Sequence, residues 1–364
     1  MVVGGGLVGL AIAYGVRRLG LSVTVLDGGD DAHRASRGNF ALVWGQGKGF
    51  GTPDYARWTQ ASLSAWPGFA AELADISGID LHYRGQGGFH LCFDEGGFER
   101  RGAMLDRHAA ELGADAYPFE MVPAFELRRT FPHLGPTMAG ASYSPRDGDV
   151  NSLHLYRALI TALRRLGGSY RPGAPATGIA RDGAGFAVVA GGQTFRARTV
   201  VIAAGIETER LAGLVGMSVP VRPQTGQIIV TEKAVPFLPY AVSTVRQTNE
   251  GGVMLGDSVE ERGHDDTVTT GVLGITAARA IAAFPVIARL AVVRSWAALR
   301  VMSPDGLPVY QQSASQPGAF ACICHSGVTL AAIHAGELAR QVAGGALTGQ
   351  AAAFGTGRFD VRAA

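Results

Sequence analysis

The chain has 364 residues, of which 47% are hydrophobic and 17% are charged. This length and composition predict about two folded domains and exclude a disordered chain. Its 32 basic and 30 acidic residues give a net charge of +2 without a run of like charges, so we expect no nucleic-acid partner. The 52 glycines follow no Gly-X-Y period and form no low-complexity tract, which excludes collagen-like and linker-like chains.

The cysteine content and the hydropathy pattern indicate in which cellular compartment the protein is expected. The three cysteines are too few for a disulfide framework, which indicates a reducing environment such as the cytoplasm. No stretch reaches the roughly 18 apolar residues of a membrane span, and the N-terminus lacks the basic flank and cleavage site of a signal peptide. No cluster of histidine, cysteine or aspartate has the spacing of metal ligands. We therefore expect neither a transmembrane segment nor a metal site.

The first motif in the chain is a nucleotide-binding pattern. A short β-branched strand runs into Gly4-x-Gly6-x-x-Gly9, an apolar helical pattern follows, and a second strand ends in Asp27. In such a βαβ unit the first glycine permits a tight turn, the second lets the backbone approach a pyrophosphate, and the third lets helix and strand pack closely. The acid can accept hydrogen bonds from a ribose, so the pattern predicts dinucleotide binding. A glycine-rich turn without a ligand is the alternative, and it leaves Asp27 without a role.

The rest of the chain alternates between helical and β patterns. Apolar spacing predicts helices at residues 54–76, 99–112, 152–166, 272–284 and 331–343. Alternation and apolar runs predict strands within residues 79–93, 186–204 and 227–255 and at 320–324. The interleaving predicts an α/β fold in which a Rossmann-like nucleotide-binding domain contains an inserted domain with a mixed or antiparallel β-sheet. The nucleotide-binding domain is predicted to comprise residues 1–76, 140–212 and 295–364, and the inserted substrate-binding domain residues 77–139 and 213–294.

These motifs together resemble the D-amino-acid-oxidase-like family of FAD-dependent oxidoreductases over almost the whole chain. Within that family, residues 36–49 and 324–330 are most similar to the β subunits of opine (octopine, nopaline), proline and hydroxyproline dehydrogenases and of hydrogen cyanide synthase complexes. The resemblance implies that the Rossmann-like domain binds FAD. It implies non-covalent FAD, because no residue matches the positions that attach flavin covalently in some relatives.

The resemblance also implies which residues line the cofactor. The ADP half would be held by Gly4, Gly6, Gly9 and Asp27, with Ala176 at the adenine. The pyrophosphate and ribityl chain would be followed by Ser36, Arg37 and Asn39, and closed over by Ala204 and Gly205. The isoalloxazine would be bordered by Leu42 to Trp44 and faced, on its N1/O2 side, by Gly327, Val328, Thr329 and Leu330. A helix N-terminus at the last segment would stabilise the negative charge that reduced flavin develops there.

Arg300 matches the family arginine that binds a substrate carboxylate. A guanidinium offers a planar bidentate fork and keeps its proton, so it can fix a carboxylate and orient the carbon beside it. In a chain with only two lysines and many arginines, a surface or ion-pair arginine is the alternative. Trp296 before it and the Pro304-to-Pro308 segment after it favour the substrate role.

Three further residues are weaker catalytic candidates. Lys48 lies in the predicted flavin loop and is either a charge near the isoalloxazine or a solvated loop cation. His325 precedes the flavin-facing turn and either touches flavin or substrate or has a structural role. Tyr240 falls where relatives have pocket aromatics, with a core tyrosine as the alternative.

The resulting hypothesis is an FAD-dependent dehydrogenase that oxidises a C–N bond of an amino acid or secondary amino acid by hydride transfer to flavin N5. The substrate would be a small carboxylate-bearing amine, and no side chain needs to act as a strong base. The resemblance implies a catalytic β subunit in a hetero-oligomer, with an α subunit and a small Fe–S or FMN-linked subunit as partners, in the cytoplasm or peripheral to the inner face of a bacterial membrane. A stand-alone oxidase that uses O2, a non-catalytic flavoprotein subunit and a nicotinamide-dependent dehydrogenase are the alternatives.

Overall fold

The computed structural model describes residues 1–29 and 34–360, so the last four residues of the predicted segment 295–364 lie outside the described part. The strands are β1 (Val2–Val3), β2 (Thr24–Leu26), β3 (Leu42–Val43), β4 (Gly88–Cys92), β5 (Glu120–Pro123), β6 (Gly140–Ser144), β7 (Gly148–Asp149), β8 (Ser169–Arg171), β9 (Ala176–Asp182), β10 (Gly185–Ala190), β11 (Gln193–Ala197), β12 (Val200–Ile202), β13 (Arg222–Lys233), β14 (Ala241–Val242), β15 (Val245–Gln247), β16 (Gly252–Leu255), β17 (Val292–Met302), β18 (Val309–Gln312) and β19 (Ala319–Ile323). The α-helices are α1 (Leu7–Arg18), α2 (Pro53–Ser77), α3 (Glu95–Leu112), α4 (Ala124–Thr130), α5 (Ser152–Arg165), α6 (Thr208–Gly213), α7 (Thr270–Ala283), α8 (Ala331–Ile333), α9 (Ala339–Gly344) and α10 (Gly349–Ala353), and a π-turn (His334–Leu338) joins α8 to α9.

The central layer is a six-stranded sheet in the order β18-β19-β12-β1-β2-β8. All neighbouring strands are parallel except β18 and β19. These strands come from three separated stretches of the chain, so the layer is discontinuous in sequence. The strand order reverses around β1, and ligands of open α/β sheets bind at such a reversal, outside the carboxyl ends of the strands.

Alternating side chains of the parallel strands divide between two apolar cores. Val2 and Val25 point toward α1, α2, α5 and the C-terminal helices, where they join one buried cluster. Their neighbours Val3 and Leu26 join a second cluster with α6 and the β9-β10-β11 sheet on the other face. Because both faces are covered, these strands are almost continuously apolar, as parallel strands usually are.

The second layer is built from two four-stranded sheets and three helices. One sheet has the order β15-β16-β13-β17 and is antiparallel throughout, and the other has the order β14-β4-β6-β5 with β14 parallel to β4. Phe89 and Leu91 of one sheet and Val253 and Leu255 of the other share an apolar core with residues of α4 and α7. The predicted combination of a Rossmann-like layer with a mixed or antiparallel β layer is therefore what the chain forms.

The predicted domain boundaries stay a prediction, and two strands that belong wholly or partly to the predicted nucleotide-binding segments pair within the second layer. β6 begins at the predicted boundary after residue 139 but pairs with β4 and β5 of the second layer. β17 starts before residue 295 and pairs along its length with β13. β17 therefore leads directly from the second layer into the parallel sheet and brings its side chains to the border between them.

Residues 1–29 and 34–360 were searched for membrane-spanning helices and for clusters of metal ligands. Over these ranges no helix combines the length and the apolar character needed to cross a lipid bilayer. The same ranges contain no group of three or more histidine, cysteine, aspartate or glutamate side chains placed to hold a metal ion.

Candidate active site

Two adjoining cavities lie at the carboxyl end of the parallel sheet. The nucleotide cavity, of 590 Å³, borders the β1–α1 turn, and the inner cavity, of 470 Å³, lies between that region and strands β13 and β17. Both cavities are lined by Ala35, Asn39, Val301, Cys324, His325 and Val328. A long ligand can therefore extend from the β1–α1 turn to the border with the second layer.

The turn between β1 and α1 exposes backbone to the nucleotide cavity. Gly4 has φ +109°, and its N–H donates to the Leu26 carbonyl at 2.8 Å. A Cβ at Gly4 would overlap the carbonyl of Ala203, so only glycine fits this turn. Gly6 is the N-cap of α1, and a Cβ there would lie 2.9 Å from Ser36 Oγ. The turn thus forms a narrow cradle at a helix N-terminus, the arrangement that suits a pyrophosphate.

Asp27 lies at the end of β2 beside this cradle and is 7% exposed. Its Oδ1 accepts a hydrogen bond from the Gly28 N–H at 3.1 Å, and its Oδ2 accepts one from the Tyr170 hydroxyl at 3.2 Å. Asp27 lines the nucleotide cavity, as do Ala176, Ala204 and Gly205. These four residues, named from sequence as cofactor contacts, are therefore brought together.

Residues 34–39 border the nucleotide cavity. Ser36 Oγ accepts a hydrogen bond from the Leu7 N–H at 2.9 Å, which ties the segment to the first turn of α1. The Arg37 guanidinium stacks on the Tyr156 ring, 5.1 Å from its centroid. Asn39 closes a turn because its side-chain amide donates to the carbonyls of Ala35 and Ser36 while its Oδ1 accepts from the backbone. All three predicted residues line the nucleotide cavity.

Thr329 joins the two segments predicted to border the flavin. The Trp44 N–H donates to Thr329 Oγ1 at 3.2 Å, and the Thr329 hydroxyl donates to the Leu42 carbonyl at 3.3 Å. From α2, Trp66 Nε1 donates to the Thr329 carbonyl at 2.9 Å. Leu42, Trp44 and Thr329 line the inner cavity, so these two segments, distant in sequence, meet there.

Lys48 is held at the wall of the inner cavity rather than free in solvent. Its Nζ donates to Ser326 Oγ, and the Tyr55 hydroxyl lies 2.9 Å from the same oxygen. Lys48 and Ser326 both line the inner cavity, beside Gly47. Of the two interpretations left open by the sequence, this position favours a charge beside the ligand over a solvated loop cation.

Arg300 lies on β17 opposite Gln224 of β13 and lines the inner cavity. Its guanidinium crosses the face of Gly226, where a Cβ would approach Cζ to 2.7 Å. Nη1 is buried and has no hydrogen-bond partner among the described residues. Burial lowers the pKa of Arg300, although the carboxylates of Asp257 and Glu260 act in the opposite direction. Arg300 thus lines the inner cavity as a half-buried residue, with one desolvated nitrogen that has no partner in the described part of the chain.

His325 lies where the two cavities meet and is exposed to them. The surrounding protein desolvates the ring, and this, with the positive charges of Lys48 and Arg300, lowers the pKa of His325 to about 3. The imidazole is therefore neutral at physiological pH. It can contact a ligand through a hydrogen bond without adding a charge.

Three predicted site residues lie away from the cavity walls. Tyr240 packs edge-on against Phe89 with ring centroids 5.3 Å apart, inside the aromatic cluster of the second layer, and lines neither cavity. Gly9 and Leu330 also line neither cavity. Gly9 permits close packing, because a Cβ there would overlap the carbonyl of Gly4, and Leu330 is the N-cap of α8. Gly327 and Val328, by contrast, line the nucleotide cavity.

Two charged residues that the sequence reasoning did not select also line the inner cavity. Arg101 comes from α3, and Asp257 follows β16 with φ +80°. Asp257 is 3.5 Å from Arg279, and burial raises its pKa. No local motif marks either residue, because their place on the cavity wall depends on how the two layers pack.

Comparison with known proteins defines the class of this fold and site. A family model described as "FAD dependent oxidoreductase" matches residues 1–341, and the chain belongs to that family. The predicted enzyme class and cofactor, non-covalent FAD, are thereby confirmed.

Among individual proteins, the chain is similar to the B subunit of opine oxidase from Rhizobium meliloti, with 42% identity over 363 residues that cover 100% of this chain and 98% of the relative. The B subunit of opine oxidase from Agrobacterium tumefaciens (strain Ach5) is 41% identical over the same shares of both chains. The crystal structure of glycine oxidase from Geobacillus kaustophilus superposes with a TM-score of 0.87 and 25% identity, covering 100% of this chain and 98% of that one.

The residues present fit FAD. The cradle around Gly4 and Gly6 presents backbone to the nucleotide cavity, and a side chain at Gly4 would not fit because its Cβ would overlap the Ala203 carbonyl. Asp27 is fixed by hydrogen bonds next to that cradle and faces the nucleotide cavity. The cleft then continues past Asn39 to the segments joined by Thr329, which gives an extended ligand a path from one cavity to the other.

Proposed function

We propose that the protein is an FAD-dependent dehydrogenase that oxidises the C–N bond of a carboxylate-bearing amino acid or secondary amino acid. The observation that carries the proposal is Arg300, a half-buried arginine that lines the inner cavity and has no carboxylate of the described residues within 4.0 Å. The inner cavity adjoins the nucleotide cavity, so a carboxylate bound to Arg300 would place the rest of a small substrate beside the cofactor site.

The chain's own residues bind and orient the substrate. Arg300 would form a bidentate pair with the carboxylate and fix the carbon between carboxylate and nitrogen. The chemistry that FAD supplies when bound is the acceptance of a hydride from that carbon. The substrate nitrogen loses a proton as the C=N bond forms, and addition of water then breaks this bond to give a carbonyl compound and an amine, whereas a cyclic substrate keeps its imine. Lys48 and His325 would border the reacting group, one as a cation tied to Ser326 and the other as a neutral hydrogen-bonding ring.

We also propose that the chain works as the catalytic β subunit of a hetero-oligomer. The support is that two relatives more than 40% identical over this whole chain are each named as one subunit of an opine oxidase. Partner subunits, an α subunit and a small Fe–S or FMN-linked subunit, would carry electrons away from the flavin. The assembly would be cytoplasmic or peripheral at the inner face of a bacterial membrane.

Anaerobic flavin reduction tests the proposed reaction. The protein, co-purified with its native partners, is mixed without O2 with a panel of opines, proline, hydroxyproline, glycine and N-methylglycine. Bleaching of the flavin absorbance by at least one of these substrates is the expected result. If no carboxylate-bearing amine bleaches the flavin although the protein contains FAD, the proposed function is wrong and a non-catalytic role for the flavoprotein becomes the better interpretation.

A stand-alone oxidase is the second candidate, favoured by the TM-score of 0.87 with glycine oxidase. Hydrogen peroxide formation and dye reduction are measured side by side for the chain alone and with co-expressed partners. The hetero-oligomer proposal predicts that turnover with the dye depends on the partners and that peroxide formation is slow. If the chain alone forms peroxide quickly, and at the same rate as the chain with its partners, the protein is an oxidase instead.

A further inference from the structure

One loop of the second layer borders both cavities. Residues 257–269 join β16 to α7 and, within the described part of the chain, form neither a helix nor a strand. Asp257 and Val259 near the start of this loop line the inner cavity, and His264 and Asp266 further along line the nucleotide cavity. We call residues 257–269 the cover loop. It brings side chains of the second layer to a cavity whose other walls come mostly from the parallel sheet and its connections.

Strand β13 holds the cover loop through polar contacts. The Thr225 N–H donates to the Glu260 carbonyl at 2.9 Å, and the Glu260 N–H donates to the Thr225 carbonyl at 3.0 Å. The Thr225 hydroxyl donates to the Asp265 carbonyl at 2.8 Å, and Gln224 Nε2 donates to Glu261 Oε1 at 2.6 Å. The loop is therefore fixed along one edge of β13 by hydrogen bonds.

Apolar packing contributes little to the position of the cover loop. Its two large apolar side chains, Val259 and Val268, are 61% and 43% exposed. Segments with few buried apolar contacts open locally at a lower cost in free energy than the core of a protein does. A ligand that contacts the loop would therefore add a substantial share of the interactions that hold the loop in place.

The charged and titratable side chains of the cover loop divide into two groups. Those of the first group each form a hydrogen bond or an ion pair with another described residue, and they are Asp257, Glu260, Glu261, Arg262 and Asp265. The second group is His264 and Asp266, which are exposed and whose side chains have no hydrogen bond or ion pair with residues 1–29 or 34–360. The two side chains without a protein partner are thus the two that line the nucleotide cavity.

FAD offers partners for both of these side chains. The ribose and ribityl hydroxyls can donate hydrogen bonds to a carboxylate, which is the role expected of Asp27 at the adenosine end. The phosphate oxygens can accept hydrogen bonds from an imidazole N–H. Both kinds of group lie in the middle of the FAD molecule, between the adenine and the isoalloxazine. The chemistry of the cover loop therefore matches the polar middle of the cofactor.

We propose that the cover loop is a clamp on FAD, in which Asp266 accepts a hydrogen bond from a cofactor hydroxyl and His264 donates one to a phosphate oxygen. FAD is then held between the two layers, and it leaves the protein only after the loop separates from β13. The inference concerns retention of the cofactor, which is a property of the FAD-loaded protein with or without a substrate.

The rate of FAD release tests the proposed contacts. The FAD-loaded protein is diluted into cofactor-free buffer without substrate, and the flavin fluorescence that appears on release is recorded. Removal of both contacts in the double variant His264→Ala/Asp266→Ala should speed release by about 10- to 100-fold, because two hydrogen bonds are lost and such losses act mainly on the dissociation rate.

Matched variants separate contact with FAD from other effects. His133→Ala/Asp75→Ala removes an exposed histidine and an exposed aspartate that line neither cavity, and it should leave the release rate unchanged. Asp266→Asn keeps an oxygen that can accept a hydrogen bond, so it should release FAD more slowly than Asp266→Ala. Glu261→Ala removes the bond from Gln224 but no cavity-lining side chain, and it should speed release because the loop is less firmly held on β13.

Hydrogen–deuterium exchange of residues 257–269 provides a second readout. FAD should slow amide exchange of the cover loop in the parent protein, and much less in His264→Ala/Asp266→Ala, because the contacts that order the loop are then missing. The inference is wrong if this double variant releases FAD at the rate of the His133→Ala/Asp75→Ala control. It is also wrong if FAD leaves the exchange of the loop unchanged in the parent protein. Both outcomes would leave the proposed function standing, because neither measurement involves a substrate.

Discussion

A single buried charge in this protein has a different meaning according to its partner. Arg84 and Arg246 both approach the buried carboxylate of Asp149, so this cluster of charges is structural. Arg300 has only distant carboxylates to oppose its desolvation, and its Nη1 is unpartnered in the described part of the chain. We infer that a ligand carboxylate supplies the counter-charge of Arg300, because Arg300 lines the inner cavity and a desolvated cation without a counter-charge is costly.

Substitution of Arg300 tests this inference at the residue scale. Arg300→Ala should raise KM for the reacting substrate by about 100- to 1000-fold, because two charge-assisted hydrogen bonds are lost. The amount of FAD bound to the purified variant should stay unchanged, because Arg300 does not line the nucleotide cavity, which would hold the ADP half. Arg294→Ala, an exposed position on the same strand, is the control. Unchanged substrate kinetics in Arg300→Ala would contradict the assignment.

At the scale of elements, the position of helix α1 against the C-terminal helices depends on close backbone contact as well as on side-chain packing. A Cβ at Gly15 would overlap the carbonyl of Ala335 in the π-turn and would lie 2.5 Å from the Cβ of Ala339. The contact brings the C-terminal helices onto α1 and so positions the segment that precedes them, residues 326–330. Some of the many glycines therefore serve helix contacts rather than turns.

A pair of glycine substitutions measures this contact. Gly15→Ala should lower the free energy of unfolding by about 1–3 kcal/mol, since overpacking forces the two segments apart. Gly68→Ala, in the middle of α2 with nothing within 4 Å of its new Cβ, should raise it by up to about 1 kcal/mol. Urea denaturation of both variants checks the difference. Destabilisation of similar size in both variants would show that helix–helix contact is not the cause.

Local elements were predictable from sequence because their signals are local. The predicted helices at 54–76 and 152–166 agree with Pro53–Ser77 and Ser152–Arg165 to within one residue at each end. The fingerprint glycines and Asp27 lie together because consecutive elements of a βαβ unit are neighbours in space. The π-turn at His334–Leu338 was not predicted, because its apolar spacing resembles that of an ordinary helix.

The cavity walls were less predictable because they depend on packing between distant segments. Tyr240 has the residue type expected of a pocket aromatic, yet the packing of the second layer places it against Phe89. Arg101 has no motif around it, and only the fold places it in the same cavity as Arg300. Arg300 could be proposed as the carboxylate-binding residue only from the family resemblance. A family resemblance compares positions along a whole fold, whereas a motif compares only neighbouring residues.

At the scale of the whole molecule, the cleft lies where one long strand of the second layer leads into the parallel sheet. β17 pairs with β13 over Arg222 to Thr231 and then leads through the turn at Ser303 into β18 of the parallel sheet. Residues near the end of β17, among them Arg300 and Val301, therefore face the cofactor side of the cleft. The two layers are therefore linked beside the two cavities that we propose to hold the cofactor and the substrate.

The stability of the whole molecule should depend on pH through buried histidines. His334 is fully buried in the π-turn, and burial lowers its pKa to about 3. Trp58 Nε1 donates to the Tyr310 oxygen at 3.1 Å, so the Tyr310 proton is available for His334 Nε2, 2.7 Å away. The neutral ring then carries its proton on Nδ1, which has no partner among the described residues. A protonated His334 would place an uncompensated charge in the core.

The sign of this effect follows from the two pKa values. The unfolded chain protonates His334 near pH 6.5 and the folded chain only near pH 3, so the free energy of unfolding falls as the pH drops through this interval. Between about pH 7 and about pH 5, the parent protein should therefore lose about 2 kcal/mol more than His334→Gln. Leu338→Ala, a buried change in the same π-turn without a titratable group, should show the parent's pH dependence. Urea unfolding at the two pH values measures these differences, and an unaltered pH dependence in His334→Gln would show that His334 is not their source.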